Sequence, residues 1–159
     1  MYDTLIKLYK NISYIILFVA IAMLVAVLIP ALNIKAGGAH RWLNLGGFTF
    51  QPAEFAKLAL ILFLGYSLSK KQDMVKKFLI GFVPHALIFV LFAGLIIIQP
   101  DFGTIVVLGI ITWGMMFVAG VKITHLLLPA PLLIPVIYFS VYKVEYRLER
   151  ILSFLKDRK

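Results

Sequence analysis

The sequence predicts an all-α fold: a polytopic bundle of about five transmembrane helices in a single domain over 1–159. Of the 159 residues, 62% are hydrophobic, and the mean hydropathy of +1.00 lies far outside the range of water-soluble domains. The apolar residues fall in runs near twenty, the length that crosses a hydrocarbon core. The charged residues sit in short clusters between those runs, with a formal net charge of +9. Such placement predicts juxtamembrane anchoring against anionic lipid and excludes nucleic acid as a partner. The chain has no cysteine, which removes disulfide scaffolds, thiolate metal sites and cysteine nucleophiles from consideration.

The elements follow in order. Lys7 and Lys10 precede an apolar run from Ile12 to Leu32, a layout shared by signal peptides and signal anchors. A cleavable core is about 7–15 residues, and the following Asn33–Gly38 is a poor cleavage site, so 12–33 is read as a span with Pro30 as its terminator or kink. A glycine-punctuated connection over Gly37–Gln51 leads to a second, shorter span at 52–68. Pro52 suits the first turn of that helix, where its missing N–H costs nothing. Ser69–Lys77 is a compact basic turn, and 78–98 is a third span containing Pro84 and His85. The Gln99-Pro100-Asp101 corner opens a fourth span at 102–120, and a fifth at 124–142 contains Pro129, Pro131 and Pro135. Prolines inside a bundle act as kinks whose freed carbonyls neighbouring groups satisfy. In 143–156, Val144, Leu148, Ile151, Leu152 and Leu155 recur at helical spacing between charges, the pattern of a helix lying along the interface.

Five spans with short loops alternate sides. An inward amino terminus places Lys7, Lys10, Lys70, Lys71, Lys76, Lys77 and Lys122 inside, against Lys35 and Arg41 outside. The loops favour that orientation, whereas counting the basic tail brings the two sides nearly level.

The stretch GAHRWLNLGGFTFQPAEFAKLAL, starting at Gly38, is too polar for a simple connection. Arg41 and Trp42 read either as an interfacial anchor or as a guanidinium for a pyrophosphate with an indole beside it for sugar or isoprenoid. His40 is a local variation. Glu54 and Lys57 stand three apart on one helical face; they neutralise each other at the membrane edge or serve an anionic ligand beside a helix N-terminus. Gln99-Pro100-Asp101 reads as a helix stop followed by a capped start, with Asp101 capping the amides of Gly103 or Thr104. Asp101 as a catalytic base is the weaker reading, because a cap already explains its type. Arg147 and Arg150 lie on the polar face of the tail, touching lipid or substrate phosphates. His85 and His125 are bundle residues, no acidic or histidine pair has metal-ligand spacing, and no phosphate-cradling glycine loop supports ATP use.

These motifs, followed by QPDFGT at 99–104 and YRLERILSFL at 146–155, resemble the SEDS family of membrane proteins (FtsW, RodA, SpoVE), over nearly the whole chain. The resemblance is more to the FtsW than the RodA type. It implies a ten-span enzyme of the bacterial cytoplasmic membrane that polymerises lipid II into glycan strands at the outer face, alongside a class B penicillin-binding protein and other divisome or elongasome proteins. It implies that Gln51, Pro52, Glu54 and Lys57 line the substrate-facing cavity, with the Arg41-Trp42 loop and the Asp101 corner outward. The family's catalytic aspartate belongs to a large outer loop beyond this chain, so no catalytic residue is assigned here. No cofactor is expected apart from a divalent cation at that loop. Two spans that precede the Arg-Trp loop in the family are absent, and SFL is followed by Lys156-Asp-Arg-Lys159 where the family has Asp-Pro. The chain is therefore expected to be an internal fragment, inactive alone because glycosyl transfer needs a base for the acceptor hydroxyl. The rival expectations are a lipid-linked oligosaccharide flippase and a noncatalytic scaffold that docks a partner.

Overall fold

The computed structural model describes residues 2–36, 39–45 and 48–129. The order is α1 (Tyr2–Ala26), β1 (Asn33–Ala36), β2 (Ala39–Leu45), β3 (Phe48–Phe50), α2 (Pro52–Lys70), a π-helical turn (Phe78–Phe82), α3 (Val83–Ile97), α4 (Phe102–Val118) and α5 (Ile123–Leu127). Residues 1–122 form one unit. The second unit, from Ile123, contributes α5 and a turn at 128–129; the rest of the expected fifth span and the tail with Arg147 and Arg150 lie outside the described residues.

Three helical stretches among the described residues, Ile6–Ala26, Pro52–Lys70 and Phe78–Ile97, are long and apolar enough to cross a membrane; α4 is apolar but shorter. Together with the side chains they expose, these helices make the protein a multi-pass membrane protein. Phe18, Leu58, Leu87 and Ile110, one on each of α1 to α4, are between 50% and 73% exposed, which a water-soluble fold does not tolerate on every long helix.

Helix α2 is central: 56% of its apolar window is buried, against 22% for α1, and it packs against α1, α3 and α4. Ala53, Ala56 and Ala59 are fully buried on it, small enough to bring helix backbones close where no hydrophobic effect drives helix association in lipid. From α1, Leu17, Ala20 and Leu24 form a buried stripe at helical spacing.

Two boundaries differ from expectation. The first span was expected over 12–33, but α1 begins and ends earlier, and Asn33 already belongs to a strand. Pro30 is the cause: it cannot donate within a helix, so the chain tightens into Leu28 N→Val25 O and Ile29 N→Ala26 O bonds of 3.0 Å. Asn33 Nδ2 then donates to the Val27 carbonyl at 3.0 Å, satisfying a helix-end acceptor. The glycine-punctuated connection is likewise no irregular loop. Its β1-β2-β3 strands form one small antiparallel sheet between the first two spans of the expected helical bundle. Alternating Phe48-Thr49-Phe50 and Trp42-Leu43-Asn44 supply β-forming side chains there.

Pro84 also explains the π-helical turn, since a proline one turn into a helix leaves a carbonyl without its usual donor. The buried His85 side chain ties onto the backbone beside this turn. Its Nδ1 lies 2.7 Å from the Gly81 carbonyl, which can only accept, so Nδ1 carries the proton and Nε2 accepts from Ser67 Oγ at 2.9 Å. This bond joins α3 to α2. Gly81 itself is sterically required: a Cβ there would stand 1.8 Å from the Val75 carbonyl oxygen.

Gly81→Ala is therefore expected to destabilise the bundle by about 1–3 kcal/mol, and Ser67→Ala, which orphans a buried imidazole nitrogen, by a similar amount. Reversible SDS denaturation followed by helical circular dichroism measures both. A Gly94→Ala control, where no heavy atom stands within 4 Å of the new methyl, should be near neutral.

Candidate functional site

Arg41 occupies an irregularity in the sheet. Ile34 pairs with Trp42 and Lys35 with His40, so one step on β1 spans two on β2 and Arg41 has no opposite residue. Such a bulge interrupts the alternation of a strand and re-aims the side chain at its apex. The guanidinium reaches the corner between α3 and α4. Nε donates to the Gln99 carbonyl at 3.0 Å and Nη2 to the Pro100 carbonyl at 2.6 Å. These carbonyls follow the carboxyl end of α3, where orphan acceptors and the negative end of the helix dipole both favour a cation.

Asp101 completes the junction. Its Oδ1 accepts from the Thr104 amide at 3.3 Å and its Oδ2 from Thr104 Oγ1 at 2.8 Å, capping α4. Gln51 Nε2 donates to the same Oδ2 at 3.4 Å, and Arg41 Nη1 stands 4.0 Å from Oδ1. With both oxygens engaged and little exposure, Asp101 is a joint between elements and is poorly placed to receive a substrate proton. The capped amide is that of Thr104; a Cβ at Gly103 would stand 3.8 Å from Asp101 Oδ1, in ordinary contact. Gln99 is buried and donates Nε2 to the Leu95 carbonyl at 3.3 Å, while its Oε1 finds no hydrogen-bond partner among the described residues.

The start of α2 lies beside this junction, tied to it by Gln51. Gln51 is the N-cap but supplies no side-chain cap, and Pro52 occupies the first turn. Phe50 and Phe55 meet edge to face at 6.2 Å across that start, the staple of a residue before the cap with one in the first turn after it. Glu54 and Lys57 pair at 2.8 Å, with side chains 57% and 24% exposed. The pair is thus open to solvent on the acid's side and partly covered on the base's. Trp42 is half-buried opposite Ile34.

The structure brings together Arg41, Gln51, Gln99, Pro100, Asp101 and Thr104 as one network, with Glu54 and Lys57 on the first turns of the helix it anchors. The sequence reading missed the bond from Gln51 to Asp101 and the Phe50–Phe55 staple; the second was readable from FQPAEF, the first was not. Among the described residues, no three His, Cys, Asp or Glu side chains converge to hold a metal ion.

A family model described as cell cycle protein, for FtsW, RodA and SpoVE, matches residues 2–159. Among curated relatives, the "Probable peptidoglycan glycosyltransferase FtsW" of Trichlorobacter lovleyi is 38% identical over 149 residues, covering 94% of this chain and 39% of that protein. The protein of the same name from Geobacter sulfurreducens is 39% identical over 140 residues, covering 88% and 38%. Among solved structures, a chain described under "Structural coordination of polymerization and crosslinking by a peptidoglycan synthase complex" is similar with a TM-score of 0.69 at 26% identity, covering 96% of this chain and 45% of that one. The rod shape determining protein RodA of Thermus thermophilus gives a TM-score of 0.59 at 29% identity, covering 77% and 39%. The chain thus spans about two fifths of the length of the curated relatives it matches.

If Arg41 holds the corner, Arg41→Ala should raise hydrogen–deuterium exchange in the first turn of α4 roughly tenfold or more, as charged hydrogen bonds of about 1.5–3 kcal/mol are lost. Arg41→Lys should fall between, since an ammonium cannot reproduce the fixed fork that meets two carbonyls. Unchanged exchange in both variants would remove the clamp.

Proposed function

The chain belongs to the FtsW, RodA and SpoVE family of cell cycle proteins, and from that premise we propose that it carries the headgroup-binding corner of a peptidoglycan glycosyltransferase. The reaction is polymerisation of lipid II at the outer face of the cytoplasmic membrane, in cell division. The names of the curated relatives support the activity and the division role, as their identities of 38% and 39% exceed the 29% to the solved RodA. A class B penicillin-binding protein is the proposed partner, supported by the similarity to a chain of a peptidoglycan synthase complex.

The observation that carries the reading is the placement of Lys57 and the uncapped start of α2 beside the Arg41 junction. A diphosphate needs donors fixed before it arrives, because electrostatic stabilisation is strongest when no reorganisation is required. Arg41 supplies that fixity through the backbone of the corner, and its remaining N–H groups face a part-exposed edge. Lys57 supplies a positive charge whose position Glu54 sets. The first amides of α2, unmet by any side-chain cap, add the positive end of a helix dipole. Trp42 offers an apolar surface for sugar or isoprenoid. Together these residues would hold the leaving pyrophosphate. Deprotonation of the acceptor hydroxyl falls to a base other than Asp101, whose oxygens are already engaged, and other than Glu54, which neutralises Lys57.

Affinity for lipid II in nanodiscs tests the assignment. Lys57→Gln is expected to weaken binding by about tenfold, as one charge-assisted contact is lost. Glu54→Gln should weaken it less, because the lysine stays charged. Affinity unchanged in Lys57→Gln, Arg41→Ala and Trp42→Ala alike would leave the corner without a ligand and the protein with a scaffolding role.

A further inference from the structure

We propose that the groove between the amino-terminal turns of α1 and the last turn of α2 binds the headgroup of an anionic glycerophospholipid. It lies at the end of α2 opposite the Arg41 corner, about 28 Å away for a helix of this length. The groove has a volume of about 780 Å³. Lys7 and Lys10 from α1 and Lys70 from α2 line it, with no acidic residue among the described lining. Tyr9 and Tyr66 meet edge to face at 6.0 Å within it.

Three ammonium groups around one cleft repel one another, since Lys7 and Lys10 share a helical face at a spacing of three and Lys70 adds a third from across the groove. An anion in the cleft offsets that repulsion. Lys70 is held in position: its Nζ lies 5.9 Å from the centroid of the Tyr66 ring. Tyr9 Oη reaches the Leu62 carbonyl at 3.5 Å, which orients its ring along the cleft wall. Ser69 also stands in the lining, with its hydroxyl donated to the Tyr66 carbonyl at 3.0 Å.

The same lining separates a lipid from a free phosphate ester. Beneath the lysine heads the wall is apolar, with tyrosine rings and Ile6, which is 50% exposed. Glycerol and the first acyl methylenes fill such a wall, and inorganic phosphate gains nothing from it. Basic clefts between membrane helices, at the level of interfacial tyrosines, favour anionic headgroups in this way.

The test uses the full chain in nanodiscs of phosphatidylethanolamine with graded phosphatidylglycerol, released into native mass spectrometry to count retained lipids. Phosphatidylglycerol should be retained in preference, and the triple variant Lys7→Gln, Lys10→Gln, Lys70→Gln should lower its retention by at least about fivefold. A control with Lys76→Gln, Lys77→Gln and Lys122→Gln removes the same formal charge away from the groove and should leave retention unchanged. Should the triple variant fail to assemble, Lys70→Gln alone decides, with a loss of about fivefold expected. Equal losses in the groove and control variants would overturn the site in favour of general surface charge. Displacement of the lipid by soluble glycerophosphate at matched concentration would overturn the lipid assignment, and absence of any preference in the unaltered chain would overturn both.

Discussion

The bonds from Arg41 to the carbonyls of Gln99 and Pro100 join parts of the chain that have no other reason to meet. A corner between two membrane helices leaves carbonyl oxygens at the end of the first and amides at the start of the second. Near lipid, neither set can be left to chance, because an unmet polar group there costs several kcal/mol. Asp101 satisfies the amide side from within the corner, while the carbonyl side needs a donor from elsewhere. A guanidinium on a strand bulge provides two at a fixed angle, and Gln51 adds a third link from the helix that follows the sheet. Arg41 thus ties the sheet to the corner, and Gln51 ties the start of α2 to it.

That role changes what Arg41 can contribute to a ligand. A guanidinium has five N–H donors, and those committed to backbone carbonyls cannot also grip a phosphate. The sequence alone reads Arg41 either as an interfacial anchor or as a bidentate pyrophosphate partner, the second because the fork geometry suits that task. In the folded chain two donors of that fork are spent on carbonyls, which leaves the proposed anion the remaining N–H groups and the Lys57 ammonium. The lysine differs from the guanidinium in kind: its ammonium carries three rotatable donors on a flexible stem, and Glu54 pairs with it at 2.8 Å.

Much of this was readable from residue types. Pro52 marked the start of α2 and Asp101 the start of α4, because each has a local reason to stand at a helix beginning that no tertiary context overrides. The end of α1 was less legible. Apolar residues continue to Leu32, and hydropathy cannot tell a helix from a turn inside the same apolar run; Pro30 was the only mark, and it acts several residues upstream. The sheet was hidden by its glycines, which advertise a loop, although the strands between them alternate properly. The network around Asp101 was unreadable in principle. Its members come from three separate segments, and the bulge that turns Arg41 toward the corner is visible only once β1 and β2 are paired.

The dimensions of α2 explain why charge can sit where it does. Its 19 residues rise about 28 Å, close to the roughly 30 Å of a hydrocarbon core. A helix that only just spans has no length to spare, so Lys70 at one end and Glu54 with Lys57 near the other are drawn to the two interfaces. Lys70 comes to rest among tyrosines, as interfacial cations do. The opposite pair begins in the first turn of the helix, with Lys57 partly covered and Glu54 open. A charged pair half-covered by protein at the boundary of lipid is neither fully solvated nor fully desolvated. Its attraction for a third charge is stronger than it would be in open water, where salt and dielectric screen it. The proposed headgroup site therefore rests on a short central helix, held by lysine at its far end and by the Gln51 link to the Arg41 junction at its start.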